Sequence, residues 1–66
     1  MKPGEILKRL PAAAQAFIEV SRADAHKRTR YRELIICKTS GYLEALRDVG
    51  LITDFEHRVL LHYVSE

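Results

Sequence analysis

Disulfide bonding within the chain is excluded at once, because its 66 residues contain a single cysteine, Cys37. Tryptophan is absent, and three glycines and two prolines are too few turn formers for a loop-rich or all-β domain. No run of about 18 apolar residues is present, so no membrane-crossing helix is expected. The opening Met1-Lys2-Pro3-Gly4-Glu5 leads into no long apolar stretch, and Lys8 and Arg9 interrupt what apolar character follows, so no signal peptide is expected either. With one unpaired thiol, the expected location is a reducing compartment, the cytoplasm by default.

Catalytic patterns are missing too. There is no serine elbow, no glycine-rich phosphate loop and no pair of carboxylates in apolar surroundings. His57 and His62 are five positions apart rather than the i, i+4 of two ligands on one helix face, and His26 is remote from both. Cys37 follows Leu34-Ile35-Ile36 and precedes Lys38, which can favour a thiolate, but a half-buried structural cysteine is the commoner outcome. The expectation is no enzyme, no metal and no cofactor.

What is present favours helix. Apolar residues make up 47% of the chain, and Ala, Leu, Glu, Arg and Lys are abundant. A chain this short buries only about 60% of the surface its unfolded form exposes. Without disulfides or a metal it needs an efficient helical core, self-association, or both. Net charge is +2, divided into +4 over residues 1–33 and −2 over residues 34–66. Such halves can attract each other within a fold or across a dimer, and the basic half can also meet an acidic partner.

The periodicity predicts a small all-α domain of three helices, over about residues 4–21, 24–49 and 53–64, ending in a helical hairpin. In the first, Ile6, Leu10, Ala13, Phe17 and Val20 make a narrow stripe that Leu7, Ala14 and Ile18 widen. Pro11 interrupts it, so a short first turn or arm is expected before a helix that starts near Pro11. In the second, Tyr31, Leu34, Ile35, Tyr42, Ala45, Leu46 and Val49 share one broad face, while Ile36 and Leu43 form a separate seam, to be covered either by the first helix or by a partner. Ser40-Gly41 is a point where this helix could bend. Gly50 should terminate it in the left-handed conformation, with Leu51 and Ile52 tucked into the corner. Thr53-Asp54-Phe55-Glu56 fits a capping box, and Phe55, Val59, Leu60 and Tyr63 form the apolar face that follows.

Two binding readings compete. In the first, the extra seam of Ile36 and Leu43, with Tyr42, mediates a homodimer, and Tyr31, Arg32 and Tyr63 serve a larger protein target, since Tyr and Arg dominate interface hot spots. In the second, the basic segment His26–Arg32 binds nucleic acid through Lys27, Arg28, Arg30 and Arg32, with Tyr31 placed to stack on a base. The helical wheel spreads these cations over different sides, which disfavours a phosphate-tracking ridge. A helix-turn-helix reading of residues 42–64 would place Asp54 and Glu56 at the DNA, where carboxylates repel phosphates.

From Tyr42 to about Leu61 the chain resembles the SHOCT domain, a short C-terminal helical module. Leu43, Leu46, Arg47, Asp48, Gly50-Leu51-Ile52-Thr53, Phe55 and Leu60 carry the likeness. His57, Arg58 and Tyr63 depart from that family's lysine-rich, acidic-started last helix. The resemblance implies a helical hairpin that serves oligomerisation or protein contact. The expected function is therefore a small protein-binding regulator or inhibitor, acting as a homodimer. Small chains without catalytic chemistry are often regulators in bacteria or their mobile elements.

Overall fold

Residues 1–27 and 29–66 are described by a computed structural model, in which four helices follow one another: α1 (Pro3–Lys8), α2 (Ala12–His26), α3 (Arg32–Asp48) and α4 (Asp54–Ser65). No strand occurs among the described residues. The class is all-α with a C-terminal hairpin, as the periodicity predicts, but with four helices rather than three. Pro3 lies in the first turn of α1, where a proline's missing N–H costs nothing. Pro11 has extended backbone and stands as the N-cap of α2. It therefore ends one helix and starts the next.

That break has a consequence for packing. A wheel drawn through residues 4–21 assumes one continuous helix, and the register is lost at Pro11. Ile6 and Leu10 are buried as the stripe requires, but in α2 the buried positions are Ala14, Ile18, Ser21 and Ala25. Ala13 is exposed and Val20 is 59% exposed. The second expected helix is also divided: α2 continues to His26, a turn holds Arg30 and Tyr31, and α3 begins at Arg32. No break occurs at Ser40-Gly41, and α3 runs through both.

Helices α2, α3 and α4 each pack on the other two, and α1 lies against α4. The core joins Ile6, Leu7 and Leu10 to Ile18 of α2, Leu43 and Leu46 of α3, Ile52 of the corner, and Leu60 and Val64 of α4. Thr39 is fully buried in the middle of α3. Its hydroxyl donates to the Ile35 carbonyl at 2.8 Å, which removes the penalty of an unpaired buried polar group.

The α3–α4 corner is closed by backbone chemistry. Gly50 has φ +83°, a conformation cheap only for glycine. The Leu51 N–H donates to the Leu46 carbonyl at 2.9 Å, and the Gly50 N–H to the Arg47 carbonyl at 3.0 Å, the paired bonds of a Schellman motif. Ile52 is buried, whereas Leu51 is 43% exposed. The capping box then starts α4: the Glu56 N–H donates to Thr53 Oγ1 at 3.1 Å, and the Thr53 N–H to Glu56 Oε1 at 2.9 Å. The second Glu56 oxygen accepts from Arg9. One buried carboxylate thus caps α4 and ties down the segment after α1.

Candidate functional site

Every candidate surface depends on which side of α3 faces inward. The inner side carries Ile35, Ile36, Thr39, Tyr42, Leu43 and Leu46, all buried or half-buried. The outer side carries Leu34, Cys37, Lys38, Gly41, Ala45 and Val49, all exposed. This reverses the expected assignment. The Ile36–Leu43 seam belongs to the core: Leu43 has no exposure, so it offers nothing to a second copy, and Ile36 is half-buried beside it. Half of the broad face assigned to the core points to solvent instead, with Leu34 67% and Val49 72% exposed. The polar Thr39 at the centre of the inner face is what hid that face in the sequence.

Tyr42, the third residue assigned to self-association, is half-buried between α2 and α3. Its ring stacks on Phe17 with centroids 4.1 Å apart, and the Lys38 ammonium lies 5.8 Å from the Phe17 centroid. These contacts join the outer sides of α2 and α3 into one surface. Around the stack lie Ala13, Ala16 and Val20 on α2, and Leu34, Ala45 and Val49 on α3. Lys38 is the charge within this face, and Glu44 and Asp48 flank it on α3. Because α4 packs on both helices from the other side, the face points away from α4.

A second outward apolar region lies along α4. Phe55, expected in the core, is 56% exposed, because Glu56, Leu60 and Val64 are the residues that α4 turns inward. Beside Val59 and Tyr63 an open groove of about 440 Å³ runs between α4 and the N-terminal segment, with Met1 and Pro3 on its far wall and Arg58 and Glu66 also lining it.

The proposed target residues are dispersed. Tyr31 is 53% exposed and accepts from Arg30 at 2.8 Å. Arg32 is half-buried and donates to the Ser65 carbonyl, where a cation complements the negative end of α4. Tyr63 lies in the α2–α4 seam, its hydroxyl donating to Glu19 Oε1 at 2.7 Å with the Arg22 guanidinium 4.4 Å above the ring. The Glu19 carboxylate and partial burial push the Tyr63 phenol above its ordinary value of 10.0. Tyr63 is thus a strut between helices as well as a wall of the groove.

The described cations of the basic segment are engaged within the chain. Lys27 Nζ is 3.4 Å from Asp24 Oδ1. The Arg30 guanidinium lies 5.0 Å from the Tyr31 ring centroid, and Arg32 is held at α4. Arg28, the fourth candidate for nucleic-acid contact, lies outside the described residues. No group of three His, Cys, Asp or Glu side chains gathers into a metal-binding arrangement among the described residues. Among the described residues no helix is long and apolar enough to cross a membrane. Cys37 is exposed on the outer side of α3, not half-buried as expected.

No family model, curated protein or solved structure matches this chain. Its surfaces therefore have to be read from their own chemistry. Leu34, Val49, Val20 and Phe55, with Ala13, Tyr31 and Ala45, are residues that sequence reasoning placed inside and the fold places outside. The polar Thr39 and Glu56 take up core positions, and that is the one signal by which the exchange was detectable.

Proposed function

We propose that this protein is a small helical regulator or inhibitor that works by binding other proteins, with self-association through one side and a larger target on the other. The observation that carries this reading is the outward placement of large apolar side chains that the core does not use: Val20, Leu34 and Val49 on the α2–α3 side, and Phe55 on α4 with Met1 across the groove beside half-buried Val59, besides Tyr31 and Leu51 in the two turns. Single exposed apolar residues are ordinary, but contiguous groups of them mark interaction surfaces. The engagement of Lys27, Arg30 and Arg32 inside the chain weighs against phosphate binding by the basic segment. The likeness of the hairpin to a module associated with oligomerisation points the same way.

The test is site-specific photo-crosslinking in the cells that make the protein, with the reactive residue at Phe55. The expected product is an adduct to a distinct, larger protein, resistant to nuclease and abolished by Val59→Asp. Nuclease-sensitive adducts from Phe55 or from Tyr31, without a protein adduct, would overturn the reading in favour of nucleic acid. Localisation in the cytoplasm is part of the same proposal, and fractionation of those cells checks it.

A further inference from the structure

The outer side of α3 is left uncovered among the described residues, and we propose that it is covered by the same side of a second copy, running antiparallel with Gly41 at the two-fold axis. This inference gives residues and register to the self-association in the reading above and rests on it.

Charge complementarity selects the arrangement. In an antiparallel pair centred on Gly41, residues equidistant from Gly41 meet. Lys38 lies three positions before it and Glu44 three after, so each lysine meets the second copy's Glu44. At 3.6 residues per turn the two flank Gly41 by about 60° on either side, within diagonal reach for long side chains. Two ion pairs result by symmetry. A parallel pair would set Lys38 against Lys38 and Glu44 against Glu44. The same register places Cys37 opposite Ala45, small against small. It also sets Leu34, seven positions before the axis, opposite Asp48, seven after it, at the two ends of the contact.

Gly41 supplies an independent observation. It lies in the interior of a 17-residue helix, where glycine weakens the structure. A Cβ built there meets nothing within 4 Å, so no packing within the chain requires its absence. The open surface there leaves room for the close approach of another backbone. α3 spans 17 residues, about 26 Å at 1.5 Å per residue, so the contact is one helix laid along its copy.

Sedimentation equilibrium over a dilution series tests this on the full chain. Wild type should sediment with twice the chain mass. Gly41→Leu should raise the dissociation constant at least tenfold while the far-ultraviolet circular dichroism stays helical, since the added side chain meets open space in the monomer. Lys38→Glu and Glu44→Lys should each give monomer, and the double reversal should restore the dimer. Residues six apart on a helix do not face each other, so the rescue cannot arise within one chain. A wild type monomeric throughout the series overturns the inference. So does a dimer unmoved by Gly41→Leu and by either charge reversal. Neither outcome touches a Phe55 adduct to a different protein, so failure of the dimer and failure of target binding are separable.

Discussion

Leu34 and Leu43 are the same residue type on the same helix, nine positions apart, and truncating each to alanine weighs the two sides of α3 against each other. Leu43 is fully buried against α2 and α4, and removing a buried leucine side chain costs about 2–5 kcal/mol through lost transfer energy and the cavity left behind. A chain of this size has about 3–10 kcal/mol in total at roughly 0.05–0.15 kcal/mol per residue. Leu43→Ala should therefore leave a protein that is partly unfolded or close to it. Leu34 is two-thirds exposed already, and a surface truncation of that kind changes stability by about 0.5 kcal/mol or less. Urea unfolding followed by circular dichroism is the assay, on protein dilute enough to be monomeric, because in a dimer Leu34 would contribute at the interface too. The expected outcome is a large fall in the midpoint for Leu43→Ala and almost none for Leu34→Ala. Equal losses, or the reverse order, would refute the assignment of inner and outer faces on which both surfaces depend.

Three further outcomes follow from the α4 start and the corner before it. Thr53→Ala removes the acceptor for the Glu56 N–H and should cost about 1 kcal/mol, read as a lower urea midpoint at unchanged slope. The Thr53 N–H that Glu56 accepts from, aided by Arg9 and opposed by burial, holds the Glu56 carboxyl below its ordinary 4.5. Its contribution to stability is therefore present above pH 4.5 and lost as pH falls through the lower folded value. In Glu56→Gln, which cannot ionise, thermal melts at stepped pH should decline less steeply over that acid range than in wild type. Gly50→Ala forces a Cβ into the φ +83° conformation and should cost about 1–2 kcal/mol, measured by the same urea titration. An unchanged midpoint would mean that the corner is made differently.

The sequence carried more of the local chemistry than of the packing. The capping box at Thr53-Asp54-Phe55-Glu56 and the left-handed Gly50 were legible because each depends on a few adjacent residues. The inward side was legible only in part: Ile6, Leu10, Ile18, Leu46 and Leu60 are buried as expected, and the departures have physical reasons that differ from helix to helix. At Pro11 the helix is interrupted, so the phase read from Ile6 and Leu10 does not extend to α2, and Ala14 and Ile18 are buried in place of Ala13 and Val20. In α3, Thr39 occupies the centre of the buried face with its hydroxyl satisfied by the Ile35 carbonyl, which makes the outer side look the more apolar of the two. In α4, Glu56 does the same by spending both carboxylate oxygens on the Thr53 amide and Arg9, and Phe55 takes the exposed position beside it. A helical wheel treats every polar residue as outward-facing. Both errors came from polar residues whose partners lie within hydrogen-bond distance and so can be buried.

An isotope-filtered nuclear Overhauser experiment on a mixture of labelled and unlabelled chains tests the central claim most directly, because Cys37 and Ala45 are about 12 Å apart along one helix at 1.5 Å per residue and only a second chain can bring them together. The account predicts intermolecular cross-peaks between the Ala45 methyl group and the Cys37 β protons. Cross-peaks that instead join the two copies through Phe55 and Val59, or their complete absence in a sample that is dimeric by mass, would contradict it.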